Sequence, residues 1–204
     1  MLLEVRDAGR VFHRRQVFSG LELAVTGNES VMLDGANGSG KSTLLRCLAG
    51  TLELTTGSVH VQGWAAGSMQ ARADTGLCLH PESGLAQRIS GHQNLLFAAR
   101  LRLPPPQVAD AVEGLEEELG LMPFRHQRVR HYSSGMRALV VIARALLGTP
   151  ALLLLDEPTR SLDTEARQRV WAAMDRRSAG VVIASHRETD RERCDRTFRM
   201  PVLA

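Results

Sequence analysis

The chain has 204 residues, of which 44% are hydrophobic, 23% are charged and 4% are aromatic. These values are ordinary for a globular protein with a sizeable buried core, and the length suits one domain. The formal net charge is only +3, and there is no basic stripe with interleaved aromatic residues, so nucleic acid is not expected as a partner.

The first third of the chain predicts strands around one helix. Alternating hydrophobicity indicates strands at Met1–Val5 and Val17–Val25, and a short apolar run indicates another at Ser30–Leu33. A glycine-rich turn follows, and then a predicted helix at Lys41–Ala49 and a strand at Ser58–Val61. The order strand, loop, helix is that of a phosphate-binding βα unit.

The rest of the chain predicts helices and then buried strands. Three helices are expected in the middle, at Gln93–Leu103, Pro106–Gly120 and Ser134 to about Leu147. A strand at Leu152–Leu155, a helix at Thr164–Arg177 and a strand at Val181–Ala184 follow. Short apolar runs between helices favour a mostly parallel sheet covered on both faces, so the sequence predicts an α/β fold with an all-helical insertion at residues 81–148.

The glycine-rich turn, Gly35–Ser42, fits the P-loop pattern G-x-x-x-x-G-K-[ST]. Its backbone N–H groups and the following helix N-terminus are expected to cradle phosphate oxygens. Lys41 adds a charge between the β- and γ-phosphates, and the Ser42 hydroxyl is suited to ligate Mg²⁺. The motif predicts a nucleoside triphosphate site contacted by Asn37, Gly38, Ser39, Gly40, Lys41, Ser42 and Thr43.

A second motif ends the apolar strand Leu152–Leu155 with two acids, Asp156 and Glu157. Asp156 is predicted near the Mg²⁺ shell, through a water, and Glu157 is predicted to polarise the attacking water as general base. The pair follows a P-loop in the same chain, which favours nucleotide hydrolysis over a plain acidic turn.

Between these motifs lies Tyr132–Met136, which resembles the signature motif of ABC transporter ATP-binding subunits. The family pattern is more often Leu-Ser-Gly-Gly-Gln, and this chain keeps its serine–small–glycine centre at the start of a helix. The resemblance implies that Ser133 and the N–H groups of Ser134 and Gly135 grip a γ-phosphate. In the family that phosphate belongs to ATP bound on another subunit.

Three further residues agree with the resemblance. Ser161-Leu162-Asp163 is similar to the family's D-loop, which implies that Asp163 approaches the opposite nucleotide site. His186 follows a strand, as the family's switch histidine does, and is expected to contact the γ-phosphate and to position Glu157 and water. Phe12 falls where the family places an aromatic ring against adenine, although a half-buried strand phenylalanine is the alternative.

One family position is altered. The family has a glutamine that senses Mg²⁺ and contacts the transmembrane partner, and His80 occurs there in this chain. An imidazole can bind a water near Mg²⁺ but cannot reproduce an amide tip that both donates and accepts. We predict that His80 occupies the sensor position; Gln87 is the less favoured alternative.

Cysteine content and hydropathy indicate the compartment. Cys47, Cys78 and Cys194 are odd in number and lack metal-ligand spacing, which indicates thiols in a reduced compartment. The segment Met1–Phe12 carries charges where a signal peptide is apolar, and no window of about 20 apolar residues occurs. The chain is therefore predicted to reach a membrane through a partner.

Taken together, the resemblance implies a P-loop NTPase fold of the α/β class with a mostly parallel sheet, an N-terminal antiparallel β subdomain and an inserted all-helical subdomain. One domain is expected over residues 1–204, with its ATPase core at 1–80 and 149–204. The implied cofactors are ATP and Mg²⁺. The implied partners are a transmembrane permease and a second ABC ATPase subunit, most simply an identical copy, at the cytoplasmic side of the cell membrane.

The resemblance also implies an activity. Lys41, Glu157 and His186 are the expected catalytic residues, and the chain is expected to hydrolyse ATP to drive transport. The signature segment and Ser90–Leu95 look like those of subunits serving exporters, and the length resembles the heme-exporter subunit, so export is predicted. Two alternatives stay open: a catalytically weak ATP-binding partner, and a non-transport ABC ATPase acting on nucleic acid or ribosomes.

Overall fold

A computed structural model describes residues 1–79 and 84–201. Two short 3₁₀ turns lie at Pro105–Gln107 and Val129–His131. In chain order the strands and helices are β1 Leu3–Phe12, β2 Arg15–Val25, β3 Ser30–Asp34, α1 Lys41–Leu48, β4 Thr56–Val61, β5 Trp64–Ala65, α2 Met69–Ala73, β6 Thr75–Cys78, α3 Gly91–Arg100, α4 Val108–Leu119, α5 Ser134–Leu146, β7 Leu152–Asp156, α6 Thr164–Asp175, β8 Gly180–Ala184, α7 Glu188–Arg191 and β9 Arg196–Arg199.

Strands β6, β7, β8, β3 and β9 form a parallel sheet in that order within the described residues. Every residue of β7 and β8 is buried, as expected for strands covered on both faces. The carboxyl ends of parallel strands lie at one edge of a sheet, and Asp156 pairs in register with Ala184 there. The loops that follow β3, β7 and β8 therefore meet at this edge.

Two hydrophobic cores cover the faces of this sheet. On one face, α1 packs Leu44, Leu45 and Leu48 into a core shared with the N-terminal strands. On the other face, α3, α4 and α5, which fall between β6 and β7 in the chain, share a core with α6, and α5 is buried from Ala138 to Ala143. The α/β class and the helical insertion predicted from the sequence are confirmed.

The N-terminal strands form a separate antiparallel sheet in the order β2, β1, β4, β5. Strand β1 continues to Phe12, well past the predicted end at Val5. The alternation of hydrophobicity is lost after Val5 because the β1–β2 pairing contains three register shifts and Asp7 has a left-handed backbone (φ 47°). The extension carries Phe12 to the end of the sheet.

Several short elements were not predicted. Strand β9 has the sequence Arg196-Thr197-Phe198-Arg199, which contains no apolar run, and it forms at the sheet edge through its pairing with β3. Strand β6 and helices α2 and α7 have at most five residues each, too few to show a periodic pattern. In the described ranges, no helix is both long enough and apolar enough to cross a bilayer.

Candidate nucleotide-binding site

The loop between β3 and α1 has the backbone that its glycines predict. Gly40 has a left-handed conformation (φ 96°), and a side-chain carbon there would lie 2.7 Å from Val17 Cγ1. Only glycine satisfies both conditions. Among residues 1–79 and 84–201, no side chain caps α1, so the N–H groups of its first turn can serve an anion.

The Lys41 side chain folds along this loop. Its amine donates hydrogen bonds to the carbonyl oxygens of Gly35 (2.5 Å) and Ala36 (3.1 Å), and the residue is only 8% exposed. A positive charge is therefore held against the loop, where an anion also meets the dipole of α1.

The loop forms one wall of an open cleft of about 1940 Å³. The lining brings together Phe12, residues 37–43, Asp156, Glu157 and His186, all predicted from the sequence as site residues. Among the described residues, five lysine or arginine side chains and three carboxylates line the cleft. The surplus of positive charge favours a polyanion such as a triphosphate.

Glu157, directly after β7, has a strained backbone. Its φ of 49° lies in the left-handed region, which a glutamate rarely adopts, and its N–H donates to the Ala184 carbonyl at 2.8 Å. Asp156, one residue earlier, is 6% exposed at the end of the strand. The hydrogen bond to β8 therefore fixes an unfavourable conformation that directs Glu157 into the cleft.

His186 follows β8 and lies opposite Glu157. Its Nε2 is 3.6 Å from Glu157 Oε1, and its imidazole is half exposed. Burial raises the pKa of the Glu157 carboxyl above its ordinary value, and Asp156 acts in the same direction, whereas His186, Arg160 and Lys41 oppose the rise. A raised pKa suits a carboxylate that accepts a proton during a reaction.

Phe12 lies at the rim of the cleft with 39% of its surface exposed. The guanidinium of Arg10 lies over the ring, 4.4 Å from its centroid, and also donates to the Glu53 carbonyl at 2.9 Å. This cation–π contact holds the ring in place. The exposed aromatic surface suits stacking against a flat base.

The signature-like segment lies elsewhere. Ser133 is exposed, and its hydroxyl accepts a hydrogen bond from the Met136 N–H (3.1 Å), which caps α5. In the described part of the chain, the cleft lining includes none of Ser133, Ser134 and Gly135. One chain therefore does not bring its signature-like segment to its own P-loop.

Asp163 also lies outside the cleft lining of the described residues. Its carboxylate accepts a hydrogen bond from the Ala166 N–H (2.8 Å) and caps α6. The loop before Asp163 lies close to the signature-like segment. A side-chain carbon at Gly135 would lie 2.9 Å from the Ser161 carbonyl oxygen. The start of α5 and the loop 161–163 are therefore in direct contact.

His80 lies outside the described residues, together with positions 81–83. Its assignment as a metal sensor stays a prediction, which the metal dependence of ATP hydrolysis in His80→Ala would test. The alternative, Gln87, donates from its amide to the Leu85 carbonyl at 3.3 Å and is absent from the cleft lining as far as the structure describes it.

Comparison with known proteins decides the family. Residues 18–160 match the family model described as ABC transporter. The phosphonates import ATP-binding protein PhnC of Trichormus variabilis (strain ATCC 29413 / PCC 7937) is 38% identical over 172 residues, which is 78% of this chain and 70% of that protein. The chain belongs to the ABC transporter family.

Two other similarities extend this result. The cytochrome c biogenesis ATP-binding export protein CcmA of Cupriavidus necator (strain ATCC 17699 / DSM 428 / KCTC 22496 / NCIMB 10442 / H16 / Stanier 337) is 36% identical over 187 residues, or 88% of this chain and 78% of that protein. A dimeric post-hydrolysis structure of the ATP-binding cassette MJ0796 bound to ADP and Pi superposes with a TM-score of 0.87 at 18% identity, covering 97% of this chain and 94% of that one, and shares its fold.

Family membership confirms part of the sequence predictions. The chain is an ATP-binding protein and an ATPase of the ABC transporter family, with the α/β fold predicted for it. One relative is named for import and another for export, so membership does not decide the direction of transport.

Some cleft residues of this ABC protein were missed by sequence reasoning. Arg160 and Arg187 line the cleft close to Glu157 and His186, and the Arg187 guanidinium donates to the Arg160 carbonyl at 3.1 Å. The sequence signal that could have identified Arg160 and Arg187 is their position shortly after Glu157 and directly after His186. Arg199 also lines the cleft, but it is placed there by the edge strand β9, which no sequence pattern indicated.

Proposed function

We propose that this chain is the ATP-hydrolysing subunit of an ABC transporter and that it works as one of a pair of such chains. The observation that carries the proposal is the distribution of the site residues: Asp156, Glu157 and His186 share the cleft of the P-loop, whereas Ser133 lies outside it. A single chain contains residues for binding and hydrolysis in one cleft. The N-terminus of α5, which Ser133 caps, does not face that cleft in the described residues.

The cofactors we propose are ATP and Mg²⁺. Residues 37–43 hold the phosphates, Lys41 places its charge between the β- and γ-phosphates, and Phe12 stacks on the adenine. Ser42 and Asp156 line the same cleft with a hydroxyl and a carboxylate, the oxygen donors that Mg²⁺ prefers, so these residues fit the ion. Bound Mg²⁺ would neutralise part of the charge on the phosphates.

The proposed hydrolysis uses Glu157 and His186. Glu157 takes a proton from the attacking water as general base, and the raised pKa of its carboxyl supports that role. His186, with Nε2 at 3.6 Å from the carboxylate, orients it and contacts the γ-phosphate. Lys41 stabilises the charge that develops on the transferred phosphoryl group.

The second chain supplies what the cleft lacks. Ser133 caps a helix of 13 residues, so this segment already has the backbone of an anion site. In the proposed pair, Ser133, Ser134 and Gly135 of one chain contact the γ-phosphate on the other, and Asp163 approaches the opposite P-loop. A cassette that shares this fold is dimeric with ADP and Pi bound, which supports a pair of chains.

We further propose how the pair is used. The partner is a transmembrane permease, and the chain lies peripherally on the cytoplasmic side of the cell membrane, with residues 1–80 and 149–204 as ATPase core and 81–148 as the helical part that carries the signature-like segment. The proposed direction is export, supported by the exporter-like residues 90–95 and by the similarity to CcmA. Purification of the chain from the membrane fraction tests the proposed direction, because the permease that co-purifies can be identified. A permease whose ATPase activity needs a separate solute-binding protein would indicate import.

The decisive experiment replaces the general base. Glu157→Gln should reduce steady-state ATP hydrolysis about 100-fold or more, a usual contribution of a general base, while ATP still binds. With saturating ATP and Mg²⁺, light scattering after gel filtration should give twice the mass of one chain. The same measurement without nucleotide should give one chain.

Glu157→Gln combined with Lys41→Ala is the matched control. It lacks both the base and the phosphate contact, so it should stay at the mass of one chain at every ATP concentration. Undiminished hydrolysis in Glu157→Gln would contradict the general-base assignment. A second outcome is that the wild-type chain hydrolyses ATP but forms no pair, even when permease is added and whether or not hydrolysis is blocked. That result would contradict the paired site and favour a different ABC ATPase activity.

A further inference from the structure

A buried carboxylate lies behind the hydrolytic residues and has no part in the proposed mechanism. Asp190, in the short helix α7, is 0% exposed. Its Oδ2 accepts hydrogen bonds from the Thr159 hydroxyl (2.6 Å) and the Ser185 hydroxyl (2.7 Å), and its Oδ1 accepts one from the Trp171 indole N–H (3.2 Å). A carboxylate can only accept, and both of its oxygens are used here.

The two hydroxyl donors belong to the two loops that carry the proposed hydrolytic pair. Thr159 is two residues after Glu157, and Ser185 directly precedes His186. Both donors are themselves buried, at 1% and 2% exposure. One oxygen atom of Asp190 therefore joins the loop after β7 to the loop after β8.

Stability alone is a poor explanation for this group. In the part of the chain that the structure describes, the three side-chain donors to this carboxylate are neutral, so the cost of burying it is not offset by an ion pair with them. The loops that it joins also contain a strained residue, Glu157, whose backbone persists only where surrounding contacts fix it. Ser185 Oγ additionally accepts from the Arg187 N–H (3.1 Å), so the same contacts hold the main chain on the far side of His186.

We propose that Asp190 is a positioning residue for ATP hydrolysis: it sets the separation and orientation of Glu157 and His186 by holding Thr159 and Ser185 on one carboxylate oxygen. This inference rests on the proposed function, since it assigns Asp190 a role in that same reaction. Asp190 is not part of the cleft lining among the described residues, so its loss should change the rate of the chemical step and not the binding of ATP.

The test compares kcat and KM for ATP in the purified full-length chain. Asp190→Ala removes both acceptor oxygens, so neither the Thr159 nor the Ser185 hydroxyl keeps its partner. We expect kcat to fall about 10- to 100-fold, the scale of a small misplacement of catalytic groups. KM and the affinity for ATP should change less than about twofold, because the P-loop contacts are untouched.

Trp171→Phe is the matched control, because it removes a hydrogen bond to the same carboxylate but leaves both loop hydroxyls bound. It should lower the melting temperature and leave kcat within about twofold. Thr159→Val removes the Thr159 contact, and Ser185→Ala removes the Ser185 contact together with the hydrogen bond from the Arg187 N–H; each should lower kcat by about 3- to 10-fold. Thr159→Val combined with Asp190→Ala should be no slower than Asp190→Ala alone, because both variants remove the same contact.

Each result of these measurements either supports or overturns the role proposed for Asp190. Wild-type kcat in a folded Asp190→Ala, or equal losses in Trp171→Phe and Thr159→Val, would overturn the inference. If Asp190→Ala does not fold, the comparison of Ser185→Ala and Thr159→Val with Trp171→Phe decides in the same way. Failure of the proposed function is recognised separately, since the wild-type chain would then hydrolyse no ATP or would hydrolyse it equally well as Lys41→Ala.

Discussion

The P-loop and the signature-like segment are both helix N-termini, but they differ in what surrounds them. The P-loop helix begins after Gly40 without a side-chain cap, holds the buried Lys41, and faces a cleft that also contains Glu157 and His186. The α5 helix is capped by its own exposed Ser133 and faces none of these groups within the described residues. The comparison teaches that the P-loop end is completed by catalytic groups of its own chain, whereas in the proposed pair the α5 end acts on a nucleotide bound to the other chain.

The largest expected effect is at the completed end. Lys41→Ala removes the charge held against the loop carbonyls, and we expect ATP affinity to fall about 100-fold or more, since loss of charge-assisted phosphate contacts costs about 3 kcal/mol. Equilibrium titration with a fluorescent ATP analogue measures this. An affinity within threefold of wild type would show that the cleft is not the nucleotide site and would break the comparison.

The signature-like end should respond differently. Ser133→Ala should leave the ATP affinity of a single chain unchanged but lower kcat about tenfold, because the hydroxyl would act only on the partner's phosphate. It should also cost about 1 kcal/mol of stability through the lost cap. Ser68→Ala removes a similar cap from α2, where Ser68 accepts from the Ala71 N–H (3.2 Å), and serves as control. Equal losses of kcat in both variants would show that Ser133 only caps the helix and does not act on a phosphate.

A smaller effect is expected at the rim of the cleft. Phe12→Ala should weaken ATP binding about tenfold, because stacking of a base on an aromatic ring contributes about 1–3 kcal/mol. Phe12→Trp retains the stacking surface and should bind ATP nearly as wild type does. Titration of both variants distinguishes stacking from the alternative of a structural phenylalanine, under which neither variant would change the affinity.

The smallest effect concerns the pH dependence of stability. Burial raises the pKa of Glu157, so the charged form is disfavoured in the folded chain. The contribution of Glu157 is then most favourable at low pH and is lost as the pH rises through the raised pKa. Glu157→Gln does not titrate. Its melting temperature without nucleotide should exceed that of wild type at pH 8, by less than about 4 °C, and the difference should shrink towards pH 5. A difference that grows on acidification would contradict the direction of the shift.

The parts of the fold that were predictable share a local physical signal. Fully buried strands give continuous apolar runs, so Leu152–Leu155 and Val181–Ala184 were found within one residue of the observed β7 and β8. The P-loop was found because its backbone needs glycines at fixed spacing. The edge strand β9 gives no such signal, since neighbouring hydrogen bonds and not its own side chains hold it.

The parts of the site that escaped prediction depend on long-range contacts. Arg199 reaches the cleft only because β9 pairs with β3, and Arg10 meets Phe12 only once β1 extends through both. Asp190 gave no signal in the sequence, because an acid in a charged stretch is usually a solvated residue. Its burial follows from donors at positions 159, 171 and 185, which the sheet and α6 bring together.

The contact of Gly135 with the Ser161 carbonyl has a consequence for how two bound nucleotides would influence each other. In the proposed pair, the segment assigned to the partner's phosphate is packed against the loop that leads away from the chain's own Glu157. A displacement caused by one ATP would therefore be transmitted to the other site through this close approach. Thermodynamic linkage makes such coupling reciprocal, so the Hill coefficient of equilibrium ATP binding by the pair should differ from 1.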